Sequence, residues 1–209
     1  MDGSPQPTSR RRRAPLLVAA LIFALGGAVG FLAWQHWSIY HLATVQEGVL
    51  YRDGARSAGE LERAVEKVHA KTVVCLVDDK EMADPAKPQF KQEMGWLKDH
   101  GLKSERIPVR LGGWPATNDV QRFLEIVQDR ANQPVLVHCA QGVRRTAMMV
   151  AAYQESVLGY DAPRAKSSIL TFGHSDHTIN DIRRFIDHYD PKSRTISPEL
   201  ATARAADEK

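Results

Sequence analysis

The chain has few cysteines and little net charge, and both shortages exclude whole classes of protein. With two cysteines in 209 residues, it cannot be a small domain held by several disulfides or a zinc site built on four thiolates. The formal net charge is +3. Asp2 and the four arginines at 10–13 account for all of it, so the charges after residue 13 cancel. A body without basic excess makes nucleic acid a poor candidate partner.

Charged residues are also missing between Arg13 and Glu47. The most apolar part of this gap, 14–34, is long enough at about 1.5 Å per residue to cross a hydrocarbon core of roughly 30 Å as a helix. Arginines before it, and no Lys or Arg after it until Arg52, predict a cytoplasmic amino terminus. The sequence therefore predicts a single-pass membrane protein whose folded domain lies on the non-cytoplasmic side, the periplasmic side in a bacterium. A signal peptide cleaved near residue 30 is the competing interpretation.

Composition divides the chain into five segments. They are a basic cytoplasmic terminus at 1–13, a transmembrane helix at 14–34, a connector at 35–47, a folded catalytic domain at 48–190 and a flexible tail at 191–209. Within the domain, helical patterns, one of them from Asp84 to His100, alternate with apolar strand candidates at 48–52, 71–77, 106–109 and 134–138. This alternation predicts an α/β fold with a mostly parallel central sheet flanked by helices.

The segment that carries candidate chemistry follows the most apolar strand and reads His138-Cys139-Ala140-Gln141-Gly142-Val143-Arg144-Arg145-Thr146. A loop between a parallel strand and a helix aims backbone N–H groups and the helix dipole at one spot, which attracts an anion. Gly142 permits the torsions of such a cradle, and Arg145 supplies a two-pronged donor for phosphate oxygens. Cys139 is therefore predicted to be a thiolate nucleophile for phosphoryl transfer. The competing interpretation is an inert, buried cysteine.

This segment matches the pattern HCxxGxxRT, and over about 48–175 the chain resembles the cysteine-dependent protein tyrosine and dual-specificity phosphatases, in particular their bacterial dual-specificity-type branch. The resemblance implies a dual-specificity-phosphatase-like fold and two-step hydrolysis of a phosphorylated protein or small molecule. Cys139 would take the phosphoryl group as a thiophosphate, which water would then hydrolyse. Arg145 would bind phosphate, Thr146 would assist the leaving thiolate and His138 would orient the loop. No metal or organic cofactor is implied.

The chain departs from that family at the general acid. The family normally places an aspartate on a loop before the cysteine, but the stretch 106–117 contains no carboxylate. Within it, Trp114-Pro115-Ala116 has alanine where the tyrosine phosphatases have aspartate. Asp119 is the nearest candidate acid, although a carboxylate in the first turn of a helix also fits a dipole-stabilising role. General acid help is worth about 10² to 10⁴ in rate, so a weak phosphatase, or one that favours aryl phosphates, fits the sequence.

Two other functions fit the same residues. Rhodanese-type sulfurtransferases use a CxxGxR loop, and Arg144 satisfies that spacing from Cys139 while Arg145 satisfies the phosphatase spacing. A pseudo-phosphatase that binds phosphorylated ligands without turnover is favoured by the missing aspartate and disfavoured by the intact Cys139 and Arg145. Cys75 is interpreted as packed core, and the resemblance adds a reversible disulfide with Cys139 as an alternative.

Overall fold

The computed structural model describes residues 13–37, 39–54 and 56–200, and within the first range it describes the side chains of 16–30. The chain divides into two compact units, Met1–Ser38 and Ile39–Lys209. Residues 1–12 of the predicted basic terminus and residues 201–209 of the predicted tail lie outside the described residues.

The first unit contains helix α1, over Arg13–Trp37. Within the described part of the chain, no helix combines the length and the apolarity that a membrane crossing requires. The prediction of a transmembrane helix at 14–34 is therefore corrected. The single-pass topology, the membrane partner and the non-cytoplasmic catalytic domain predicted from that helix are corrected with it.

The second unit contains a five-stranded sheet and a small two-stranded sheet. Its elements are β1 (Ala43–Gln46), β2 (Leu50–Gly54), α2 (Ala58–Val68), β3 (Thr72–Cys75), α3 (Asp79–Ala83), α4 (Gln89–Asp99), β4 (Lys103–Arg106), α5 (Thr117–Gln128), a 3₁₀ turn (Arg130–Asn132), β5 (Val135–Cys139), α6 (Arg144–Ser156), α7 (Ala162–Ser167), α8 (Asp176–Asp187), β6 (Tyr189–Asp190) and β7 (Thr195–Ile196). The order in the large sheet is β1-β2-β5-β3-β4, and β6 pairs with β7.

The large sheet is mixed, which corrects the prediction of a mostly parallel sheet. β5 runs parallel to β2 and β3, and β3 runs parallel to β4, but β1 is antiparallel to β2. The turn between β1 and β2 is short, and a short turn joins strands antiparallel, whereas a parallel pair needs a crossover of about a dozen residues or more. Part of the predicted connector, 35–47, therefore belongs to the sheet.

The apolar side chains of β5 pack on both faces of the sheet. Val135 and Val137 pack in the core cluster that includes α5 and α6, whereas Leu136 packs in the cluster that includes α2 and α4. Successive side chains of a strand point to opposite faces. Cys139 consequently belongs to the α5/α6 side of the sheet, and His138 belongs to the α2/α4 side.

Two segments differ from the pattern-based prediction. The helix expected from Asp84 to His100 begins only at Gln89, as α4, and the separate short helix α3 ends at Ala83. Asp84 precedes a proline and takes an extended backbone conformation, so neither helix includes it. The folded unit also continues beyond the predicted boundary at residue 190. β7 pairs with β6, and Leu200 is buried in the core.

Candidate active site

The loop between β5 and α6 borders a cleft of about 640 Å³. Five residues of this segment line it, namely Cys139, Ala140, Gln141, Arg144 and Arg145. Cys139 lines this cleft although it is only 3% exposed. Little of its surface is therefore open to a ligand.

The environment of Cys139 favours its thiolate form. Burial raises the pKa of this thiol, but the Arg145 guanidinium, the hydroxyl and amide of Thr146 and the amide of Gln141 together lower it below the usual value. The amide of Gly142 also donates to Sγ, at 3.2 Å. The positive end of the α6 dipole acts in the same direction. A lowered thiol pKa provides a nucleophile near neutral pH.

Arg145 is fixed beside the thiol by a carboxylate from another element. Its Nη1 and Nη2 donate to Oε2 and Oε1 of Glu81 in α3, at 2.5 and 3.4 Å. Nη1 also donates to the carbonyl of Val109, at 3.1 Å. Burial lowers the pKa of Arg145, but the Cys139 thiolate and Glu81 raise it overall. The guanidinium is therefore held as a cation in one orientation at the cleft.

The loop itself is clamped against β2. Gly142 has a φ of +66°, and a Cβ added there would lie 2.1 Å from the carbonyl oxygen of Asp53. Only glycine fits so close to another backbone. Arg52 donates from Nη2 to the Gly142 carbonyl, and His41 Nδ1 lies 2.7 Å from the Gln141 carbonyl. Burial lowers the pKa of Arg52 to about 10, against the opposing effect of the Cys139 thiolate.

Beneath the loop, a buried row of polar side chains crosses the sheet. Asp53 and Cys75 are the register neighbours of His138 on β2 and β3. His138 Nε2 lies 2.7 Å from Oε1 of Glu93 in α4, and both side chains are buried. Burial opposes the charge on the imidazole, but the Glu93 carboxylate raises the pKa of His138 well above its usual value. Burial disfavours the carboxylate form of Asp53 and raises its pKa to about 7.

Three of these side chains carry atoms of the kind that ligate metal ions. Donor atoms of Cys75, Glu93 and His138 all lie within 4.8 Å of one another. The 2.7 Å separation of His138 and Glu93 is too short for two ligands that each sit about 2 Å from a shared zinc ion. The arrangement fits a buried imidazolium–carboxylate pair.

Arg144 has a different role from Arg145. Its Nε donates to Asp181 Oδ2 in α8, at 2.8 Å, and its Nη1 donates to the carbonyl of Gly113. Its guanidinium also lies 5.3 Å from the centre of the Trp114 ring. Arg144 thus ties the loop after β5 to the segment that carries Trp114 and to α8.

The structure places most of the sequence-predicted residues together, with one clear exception. Val143 and Thr146 are buried and are not among the residues that line the cleft. Asp119 is absent from the residues that line the cleft. Its Oδ2 instead accepts a hydrogen bond from the Ala116 amide at the start of α5, at 2.7 Å. The dipole-stabilising role weighed for this residue therefore describes its position better than the role of general acid.

Sequence reasoning missed several supporting residues, which are Glu81, Arg52, His41 and Glu93. One usable signal was the acidic run Asp78-Asp79-Lys80-Glu81, because it follows the carboxyl end of a parallel strand, where ligand-binding loops gather. Another was Arg52, a charged residue inside a buried strand. Such a charge requires a partner.

The chain is similar to known phosphatases over most of the second unit. A family model described as DSP-PTPase phosphatase fused to NAD⁺ kinase matches residues 39–184. Inositol diphosphatase DSP1 of Oryza sativa subsp. japonica is 31% identical over 114 residues, which are 53% of this chain and 47% of that protein. The chain spans less than half the length of the first curated relatives that it matches.

Solved phosphatase structures share the fold. The core catalytic domain of the PP-IP phosphatase SIW14 from S. cerevisiae matches with a TM-score of 0.58 at 19% identity, over 80% of this chain and 92% of that chain. TpbA from P. aeruginosa, in complex with phosphotyrosine, matches with a TM-score of 0.57 at 21% identity, over 79% and 91%. At these identities the likeness establishes the fold alone.

Proposed function

The chain belongs to the PTP-NADK family of DSP-PTPase phosphatases, and we propose that it hydrolyses phosphate monoesters through a thiophosphate on Cys139. The observation that carries this proposal is the environment of one sulfur atom. The Cys139 thiol has a lowered pKa, lines a cleft and lies among loop amides next to a fixed Arg145. Those are the requirements for attack on a bound phosphate.

In the first step, Sγ of Cys139 forms a bond to phosphorus while the bond from phosphorus to the ester oxygen breaks. The electron pair of that bond leaves with the ester oxygen. The amides of the loop and the Arg145 guanidinium stabilise the equatorial oxygens, because preorganised donors act on charge that develops in the transition state. Glu81 contributes indirectly, since it fixes the orientation of Arg145.

In the second step, water attacks phosphorus and the S–P bond breaks. The thiolate leaves again, inorganic phosphate is released and the enzyme is regenerated. The same groups that lower the pKa of Cys139, including the Thr146 hydroxyl, stabilise the thiolate as a leaving group. The role of His138 is to hold the strand end in place, through its buried contact with Glu93.

We propose aryl phosphates, phosphotyrosine among them, as the preferred substrate class, with dual specificity as the broader activity. Two observations support this choice. Cys139 lines the cleft but is only 3% exposed, which favours an ester whose phosphate projects on a slim group. The segment at 106–117 carries no carboxylate, so an ester with a good leaving group depends least on acid assistance. TpbA, which shares the fold, has been solved with phosphotyrosine bound.

The contacts of the two adjacent arginines argue against the sulfurtransferase alternative. That function would place the arginine five residues after the cysteine at the reacting group. Arg144, at that spacing, is occupied by Asp181 and Gly113, whereas Arg145 accompanies the thiolate. The intact pair of Cys139 and Arg145 likewise favours turnover over a phospho-ligand-binding pseudo-phosphatase.

The test is hydrolysis of 4-nitrophenyl phosphate and a phosphotyrosine peptide by the full chain and by its Cys139→Ser variant. We expect turnover by the parent, inhibition by vanadate and a loss of several orders of magnitude in the variant, since its hydroxyl is a weak nucleophile. The variant should still bind phosphopeptide. Thiocyanate production from thiosulfate and cyanide would support the sulfurtransferase instead. A parent that binds phosphopeptide without turnover would support the pseudo-phosphatase.

A further inference from the structure

The leaving oxygen in the proposed reaction needs a proton unless the ester is an activated one. The segment expected to supply it contributes Leu111 and Gly112 to the cleft, and neither side chain carries a proton that can be transferred. Asp119 serves as a helix cap outside the cleft. A proton donor must therefore come from another element.

The described residues that line the cleft limit the choice. Their carboxylates are Glu81 and Asp181. Glu81 accepts hydrogen bonds from Arg145, and Asp181 accepts one from Arg144 at 2.8 Å. Both carboxylates are therefore engaged by arginines, which only donate hydrogen bonds, and neither is directed at a bound ester. The cationic side chains on the cleft are Arg56, Lys87, Arg144 and Arg145, and such groups hold their protons at neutral pH.

His177 also lines the cleft, and an imidazole can both donate and accept a proton in catalysis. It lies in the first turn of α8, with Thr178 and Asp181 beside it on the cleft. The His177 side chain is 87% exposed, and its Nδ1 lies 3.9 Å from Asp181 Oδ2. Asp181 is itself tied to Arg144 of the loop after β5. The imidazole is thus exposed at the cleft, and Asp181 links it to Arg144 at the start of α6.

We propose that His177 is the proton donor of the reaction and that Asp181 is its positioning residue. The inference rests on the proposed phosphatase activity. While Sγ of Cys139 bonds to phosphorus, the P–O bond of the ester breaks and the leaving oxygen takes a proton from the imidazolium of His177. The neutral imidazole then accepts a proton from the water that attacks phosphorus. The S–P bond breaks, and the thiolate and the imidazolium are both restored.

Charged groups from four other elements or connections reach the same cleft and act on this proton transfer. Arg144 and Arg145 of α6 oppose a positive imidazolium, as do Arg56 and Lys87, whereas Asp181 and Glu81 favour it. Asp181 is the carboxylate paired with His177.

The test compares two esters that differ in their need for a proton. 4-Nitrophenyl phosphate releases a stabilised anion, whereas phenyl phosphate releases a more basic phenolate that gains more from a proton donor. For His177→Gln in the full chain, we expect kcat/KM for phenyl phosphate to fall about 100-fold, the low end of general acid effects. With 4-nitrophenyl phosphate we expect a loss of at most a few-fold. His177→Ala should show the same selective loss, and added imidazole should restore phenyl phosphate turnover.

His100→Gln is the matched control. His100 is an exposed histidine at the end of α4, outside the cleft, and its replacement should leave both esters unaffected. Equal losses of the two esters in His177→Gln, or no loss of either, would overturn the role of His177 while leaving the phosphatase proposal intact. A parent that hydrolyses neither ester would instead overturn the proposed function.

Discussion

The charge of Arg145 is balanced by a carboxylate 64 residues earlier in the chain, in a helix of five residues. For Glu81→Gln we expect kcat/KM for 4-nitrophenyl phosphate to fall about 100-fold, because a displacement of about 1 Å at a positioned group can cost that much. The protein should also be less stable, since a buried charge loses its partner. Steady-state kinetics and thermal unfolding measure the two effects.

Asp79→Asn provides the control for this prediction. Asp79 lies in the same helix, but its side chain is 78% exposed and pairs with Arg106 at the surface. Surface pairs contribute little, so activity and melting temperature should stay near those of the parent. If Glu81→Gln behaved like this control, Glu81 would have no part in positioning Arg145.

At the scale of single residues, sequence predicts what is local and misses what is distant. Cys139, the loop amides and Arg145 are fixed by a pattern of a few consecutive residues between a strand and a helix, and the structure places them around one cleft. Glu81 and Arg52 reach the loop from 64 and 90 residues away. No periodicity or spacing encodes such a partnership, because it depends on how the strands are ordered in the sheet.

Among the elements, the loop after β5 depends on close contact between two backbones. For Gly142→Ala we expect a loss of stability of more than about 2 kcal/mol, since a methyl group 2.1 Å from the Asp53 carbonyl must displace the loop. The displacement should also weaken vanadate inhibition. Thermal unfolding and inhibition constants measure these effects.

Gly159→Ala separates this clash from backbone strain. Gly159 has a φ of +68°, close to that of Gly142, but a Cβ there would meet nothing within 4 Å. Its substitution should cost about 1 kcal/mol, the strain of a left-handed alanine, and should leave vanadate inhibition unchanged. Comparable losses in both variants would mean that the close approach to β2 is unimportant.

Two elements, β1 and α3, are not predicted by the hydrophobic pattern of the sequence. β1 has four residues, and none of them is fully buried. It carries no apolar run, so its sequence predicts a connector instead of a strand. Its presence makes the sheet mixed. Prolines at 85 and 88 separate α3 from α4. The Asp78 carboxylate that caps α3 is not recognised from the sequence, because the longer helical pattern after it dominates.

Across the whole molecule, the buried polar row predicts how stability depends on pH. The pKa of Asp53 is about 7 when folded and about 3.9 in an unfolded chain. The folded protein therefore binds this proton more tightly, and the free energy of unfolding falls as pH rises between those values. His138 acts in the same direction at higher pH, because its folded pKa is raised and its contribution is lost as pH rises through that value.

For Asp53→Asn we expect this loss between pH 5 and 7 to shrink by about 1 to 3 kcal/mol, according to the energy of a pKa shift. Urea unfolding at several pH values measures it. Asp190→Asn is the control, since the pKa of Asp190 is lowered by Ser193 and neighbouring amides and this group does not titrate in that range. Parallel profiles for the parent and Asp53→Asn would contradict the assignment.

His41 contacts the Gln141 carbonyl, and the Tyr40 carbonyl accepts a hydrogen bond from the Gly54 amide. These contacts matter for the design of shortened versions of the protein. A shortened version that starts at residue 48 would retain the whole signature segment and look complete by alignment. It would nevertheless lack β1 and the His41 imidazole that contacts the loop after β5. The smallest piece expected to behave like the parent begins at Ile39, nine residues before the boundary that motif reading suggests.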